Sequence, residues 1–92
     1  MKNSEILFVD DEKELLLTVD EYLSQRGYNI TVVDSGLKAL ELTKKKRIDV
    51  LITDLKMPEV NGIELLKAVK EHQPKTEVII LTGYGSIETA VE

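Results

Sequence analysis

Four short apolar runs, separated by amphipathic stretches and polar turns, set the rhythm of the chain. Residues 5–9, with Ile6-Leu7-Phe8-Val9 unbroken, read as a strand covered on both faces. Residues 49–53 and 76–81 repeat that signature, through Val50-Leu51-Ile52 and Val78-Ile79-Ile80-Leu81. The run at 28–33 differs: Tyr28, Ile30 and Val32 alternate with Asn29 and Thr31, which predicts a sheet-edge strand with one wetter face. Between the first two runs, Leu15, Leu16, Val19, Tyr22 and Leu23 form one helical stripe. Asp11 is its expected N-cap, with Glu14 at N3, and Gly27 its stop. A second helix, capped by Ser35 or Asp34, is predicted to about Lys46, with Leu37, Ala39, Leu40 and Thr43 inward. Asn61 and Glu64 bracket the start of a third, which turns Leu65, Leu66 and Val69 to the core and ends before Pro74. Thr82-Gly83-Tyr84-Gly85 reads as a loop, and Ser86 as the cap of a further helix just begun at Glu92.

The order is thus β-α-β-α-β-α-β-(α). Such alternation predicts a parallel sheet with helices on both faces and right-handed crossovers. No linker, low-complexity stretch or internal repeat interrupts residues 1–92, so one α/β domain is expected.

Composition narrows the chemistry. Ninety-two residues make one small domain, near the size where a single core is only marginally sufficient. The absence of Cys removes disulfides, thiolate metal sites and thiol nucleophiles. With one His, three Tyr and one Phe, neither a histidine metal cluster nor a base-stacking platform is available. The net charge of −5 argues against a nucleic-acid or anionic-membrane surface. No apolar run approaches the ~20 residues that cross a bilayer, and no signal-peptide core is seen, so a cytoplasmic location is expected.

What remains is acid at strand ends. In a parallel sheet Asp10, Asp11, Asp54 and Thr82 all emerge at the C-terminal edge, where ligands of open α/β sheets bind. Converging carboxylates repel one another unless a cation sits among them. Oxygen ligands without His or Cys suit Mg2+ or Ca2+. Mg2+ commonly joins one or two carboxylates to phosphate oxygens, so the site suits a phosphoryl group.

Asp10-Asp11 after the first strand, Asp54 after the third, Met57-Pro58 and Gly62 beyond it, and Thr82-Gly83 after the fourth resemble a response-regulator receiver domain of two-component signalling. The likeness runs the length of the chain. It implies a flavodoxin-like, doubly wound parallel sheet with four strands in the order 2-1-3-4. It also implies that Asp54 is the phosphoacceptor, taking a phosphoryl group from a sensor histidine kinase. Asp11, Asp54 and the Lys56 backbone carbonyl would ligate Mg2+, with Asp10 acting mainly through water. Thr82 would be the switch that reports phosphorylation to an output domain or partner. On this reading the chain is a substrate of its kinase rather than an independent enzyme. Gly83 to Ile87 and Glu88 to Val91 resemble, more weakly, receivers of bacterial enhancer-binding transcription activators.

The family pattern continues past Glu92 into a fifth strand, which carries a phosphate-pairing lysine, and a fifth helix. The chain is therefore expected to be a receiver truncated at its C-terminal side. Loss of such a positioned donor commonly slows chemistry by roughly 10²–10³. The 76–81 strand would become an unpaired apolar edge, through which, or by exchanging elements, the chain would form a homo-oligomer. A phosphorylation-incompetent, self-associating interaction module is the alternative. An aspartate-nucleophile phosphatase is disfavoured because Lys56 stands where such enzymes often place a second acid. A flavin carrier lacks its phosphate loop after the first strand. Plainer readings suffice elsewhere: Met57-Pro58 and Gly62 shape a loop, His72 is a solvated residue at a helix end, and Lys44-Lys45-Lys46-Arg47 is a solvated helix terminus.

Overall fold

A computed structural model gives the structure of residues 3–81 and the backbone pairing of 89–91. The elements are β1 (Glu5–Val9), α1 (Lys13–Gln25), β2 (Asn29–Val33), α2 (Gly36–Lys45), β3 (Val50–Asp54), α3 (Gly62–His72), β4 (Glu77–Leu81) and β5 (Thr89–Val91). The sheet order is β2-β1-β3-β4-β5. The first four strands are parallel, in the 2-1-3-4 order of a flavodoxin-like receiver fold.

Alternation along the strands sorts the core into two faces. Leu7, Val9, Leu51, Val78 and Ile80 join Ala39 of α2 and Leu65 and Val69 of α3 in the main buried cluster. Ile6 and Phe8, one position out of phase, are buried on the opposite face, as is Leu16 of α1. A sheet with α2 and α3 on one side and α1 on the other follows from right-handed crossovers that leave β1 in both directions.

The helix ends explain where each element stops. Asn61 and Glu64 form a reciprocal capping box at the start of α3: Glu64 N–H donates to Asn61 Oδ1 (2.9 Å), and Asn61 N–H to Glu64 Oε1 (3.0 Å). Ser35 caps α2, its Oγ accepting from Lys38 N–H, while Asp34 pairs with Lys38 Nζ at 2.9 Å. Helix α1 closes on Gly27 (φ 85°), with Tyr28 N–H returning to Leu23 O and Gly27 N–H to Ser24 O. That pattern needs a left-handed residue, which glycine adopts without a steric penalty.

Three expectations are corrected here. The N-cap of α1 is Glu12, not Asp11, because the preceding carboxylate of Asp10 takes the Glu12 N–H and turns the chain one residue later. Leu15 and Tyr22 of α1 and Leu37 of α2 are exposed at 37%, 55% and 46%. Helix α1 lies over the edge strand β2, so only its Leu16, Val19 and Leu23 row turns inward. Tyr22 instead stacks under the Arg26 guanidinium, 3.7 Å from the ring centre.

The third correction concerns the end of the chain. Residues 89–91 begin no helix; they form β5, antiparallel to β4, with Leu81 opposite Thr89, Ile80 opposite Ala90 and Ile79 opposite Val91. Strand β4 is therefore not an open edge over these three residues. Its free backbone groups are satisfied from within the chain, and the connection from Leu81 to Thr89 is too short for a parallel crossover, which leaves the antiparallel return. The helix expected from Ser86 onward otherwise lies outside the described residues.

Candidate functional site

The register of the sheet builds the site. Val9 lies opposite Thr53, so the next residues, Asp10 and Asp54, leave adjacent parallel strands side by side. The ladder continues past the strand ends, with Asp10 N–H donating to Val33 O (3.2 Å) and Leu55 N–H to Leu81 O (3.0 Å). Asp10, Asp11 and Asp54 each present a carboxylate oxygen, and these oxygens lie within 4.8 Å of one another. Their environments grade from the interior outward: Asp10 is buried, Asp54 half-buried and Asp11 exposed. Thr82, the fourth predicted member, lies outside the described residues, as do Gly83, Tyr84 and Gly85.

Two glycines, only one of them singled out in the sequence, hold the wall of this site. Gly62 is the first residue of α3, and a Cβ there would come within 2.6 Å of Asp54 O and 3.1 Å of Leu55 Cα. Its N–H donates to Leu55 O at 2.9 Å. Helix α3 thus presses bare backbone against the main chain of Asp54, a closer role than loop geometry alone. Gly36 makes a similar approach from α2, where a Cβ would meet Val60 O at 2.7 Å. Between them Glu59 adopts φ 68°, a left-handed conformation bridged by Val60 N–H donating to Pro58 O at 2.8 Å. Met57 is no mere loop stiffener; it is buried in the main core cluster and anchors the loop from below. No sequence signal marks Gly36, whose contact is with a distant loop, or Glu59, whose left-handed backbone no glycine announces.

The three carboxylates act on one another electrostatically. Burial pushes the Asp10 carboxyl up from its ordinary value, and the charges of Asp54, Asp11 and Glu12 push the same way. The Glu12 N–H, 2.9 Å from Asp10 Oδ1, works against them. A carboxyl raised in the folded state binds its proton to higher pH than in the unfolded chain. Folding stability therefore falls as pH rises from the ordinary aspartate range through the raised value, and the deficit persists above it. Asp10→Asn, which keeps an acceptor for Glu12 N–H, is expected to raise the metal-free melting temperature at neutral pH. The gain should vanish in acid. Scanning calorimetry at both pH values checks this, and an unchanged or lowered melting point at neutral pH would contradict it.

Three clustered carboxylates with one buried among them make an oxygen-only donor set, which fits a hard divalent cation. Among the described residues, Asp10, Asp11 and Asp54 are the ones able to hold it. The Lys56 side chain is exposed on the loop that follows.

A family model for the response regulator receiver domain matches residues 6–92, nearly the whole chain. The chain belongs to this family. Among its relatives is the sporulation initiation phosphotransferase F of Bacillus subtilis, 36% identical over 92 residues, covering 100% of this chain and 74% of that protein. The transcriptional regulatory protein ZraR of Klebsiella oxytoca is 39% identical over 88 residues, which cover 96% of this chain but 20% of ZraR. The chain therefore spans about a fifth of the length of the regulators of that type. The response regulator TrrA of Thermotoga maritima, solved with Mg2+ and BeF, superposes with a TM-score of 0.80 at 30% identity, over 89% of this chain and 71% of that one. Solved with the histidine kinase ThkA, the same regulator gives 0.82 at 29% identity, over 95% and 75%.

As a receiver, the chain carries its acidic residues where the family fold presents a ligand, at the C-terminal edge of the parallel strands. Among the described residues, no helix is long and apolar enough to cross a membrane.

Proposed function

We propose that this receiver accepts a phosphoryl group on Asp54 from the phosphohistidine of a sensor kinase and thereby switches the contacts of an output domain or partner. The observation that carries this reading is the meeting of the Asp10, Asp11 and Asp54 carboxylates within 4.8 Å at the sheet edge. Asp54, half-buried at the end of β3, is the nucleophile: its Oδ forms a bond to phosphorus as the phosphorus–nitrogen bond breaks, and the electron pair leaves on the imidazole nitrogen. The product is an acyl phosphate, later cleaved when water attacks phosphorus and Asp54 leaves as a carboxylate. Asp11, Asp54 and the Lys56 main-chain carbonyl would hold Mg2+, with Asp10 joining through water. Bound there, the ion supplies positive charge against the negative charge gathered by phosphate and carboxylates. The Mg2+-BeF form of TrrA supports this choice of ion, and its complex with ThkA supports a kinase as the donor.

Thr82, first residue after β4, is the expected hydrogen-bonding partner of the phosphoryl group and the start of the switch. On this reading the domain is a kinase substrate with self-catalysed dephosphorylation, not an independent enzyme. Its output is transcriptional, as the names of relatives such as ZraR suggest. It works in the cytoplasm and needs no direct contact with nucleic acid or membrane. Incubation with a small-molecule phosphodonor tests the reading. Intact mass spectrometry should show one added phosphate with Mg2+ present and none after chelation. Absence of the adduct at saturating donor and Mg2+ in the full-length protein would refute it.

A further inference from the structure

The basic run Lys44-Lys45-Lys46-Arg47 plays no part in the acidic site, yet the fold does not leave it as an isolated solvated face. The C-terminal ends of α2 and α3 flank a cleft of ≈ 650 Å³ at the N-terminal edge of the sheet, the end away from Asp54. Lys75 closes the run from the other side. Five cationic side chains thus face one carboxylate, Asp49, among the described lining residues. Two are already paired, Lys46 with Glu5 and Arg47 with Asp49, each at 3.2 Å. Lys44, Lys45 and Lys75 are exposed and have no ion-pair partner among the described residues.

The polar groups in the floor of the cleft hydrogen-bond to one another. Buried Thr76 donates from Oγ1 to Ile48 O (2.7 Å), and Ile48 N–H donates to Gln73 Oε1 (2.9 Å). Thr43 Oγ1 donates to Leu40 O (2.9 Å) and lies within hydrogen-bond distance of His72 Nε2, 3.0 Å away, which anchors the ring at the rim. The lysines are the spare donors.

We propose that this cleft binds a compact, multiply charged phosphate group, with Lys44, Lys45 and Lys75 as its counter-charges. Ammonium groups act as point charges toward phosphate. A cluster of cations on a chain of net charge −5 concentrates positive potential at one end and draws anions there. The volume lies within the usual range of small-molecule sites, ~300–1,000 Å³. A peptide is the poorer fit. The strands β1 and β3 above the cleft are paired on both sides, and no Phe, Tyr or Trp is among its described lining residues, so aromatic-groove docking is denied and strand addition is left little edge.

Titration of the metal-free chain with inorganic tripolyphosphate, followed by amide NMR at low salt, tests the proposal. Saturable shifts are expected at residues 44–49 and 72–76, with residues 10–12 unmoved. A double variant, Lys44→Gln with Lys75→Gln, should keep its spectrum elsewhere and bind about tenfold more weakly, in line with two lost phosphate contacts. A nucleoside triphosphate run in parallel separates the sources. Equal affinity identifies the free phosphate anion as the ligand, and tighter binding identifies a nucleotide. Shifts spread equally over Lys13, Lys38 and Lys67, no shifts at all, an unaffected double variant, or tighter binding of an acidic peptide would each overturn it. Asp54→Asn should bind tripolyphosphate as the parent chain does, which keeps this site independent of the phosphoacceptor.

Discussion

Gly62→Ala is expected to destabilise the domain by about 1–3 kcal/mol, the usual range for overpacking. Helix propensity alone predicts the opposite sign, since alanine is favoured over glycine inside a helix by about 1 kcal/mol. The contact decides it. A Cβ at this position would meet the main-chain oxygen of Asp54 at 2.6 Å, and a strand-end backbone cannot yield as a flexible side chain can. Either α3 moves off the loop, with loss of the Gly62 N–H bond to Leu55 O, or the Asp54 main chain shifts. For a domain of this size the melting temperature should fall by ~4–8 °C for each kcal/mol lost. Phosphate uptake should suffer more than the loss of folded protein explains, because a displacement of ~1 Å in a reacting group can cost ~10²-fold in rate. Thermal melting and a phosphorylation time course on the same sample separate the two effects. An alanine variant as stable and as reactive as the parent would show that the close approach carries no weight.

The second large effect is chemical. Asp54→Asn should leave the fold intact and abolish phosphate uptake, because an amide offers no carboxylate oxygen to phosphorus. The side chain is half-buried at the end of β3, and no hydrogen bond from it holds the loop among the described contacts. Removing one negative charge from a cluster of three also relieves repulsion on Asp10, so the melting temperature should not fall. Mg2+ affinity should drop with it, since one of the three clustered carboxylates is gone. Calorimetric titration with Mg2+ and intact mass after phosphodonor treatment measure both. A variant that still takes up phosphate would move the acceptor elsewhere.

Much of the site was legible in the sequence because it depends on strand ends and strand order. Once residues 5–9 and 49–53 are parallel neighbours, Asp10 and Asp54 must emerge together. Likewise Asn61 and Glu64 announce α3 through a local box that needs no tertiary partner. What the sequence hid was set by longer-range geometry. The inward row of α1 depends on how the helix lies over β2, which turned Leu15 and Tyr22 outward. The strand at Thr89–Val91 could not be read from its own residues, because β4 supplies the pairing that decides it. The approaches of Gly36 to Val60 and of Gly62 to Asp54 are contacts between distant segments, invisible to any period of two or 3.6 residues, and the left-handed Glu59 has no glycine to announce it. The joining of Lys75 to the 44–47 run across the ends of two helices is of the same kind.

The central claim is that one carboxylate in the cluster, that of Asp54, receives the phosphoryl group. The most direct measurement is to phosphorylate the chain with Mg2+ present, reduce the acyl phosphate with borohydride, and locate the reduced residue by peptide sequencing in the mass spectrometer. Reduction at Asp54, with Asp10 and Asp11 unmodified, is the predicted result. Reduction at Asp10 or Asp11, or at no aspartate of this cluster, would contradict it.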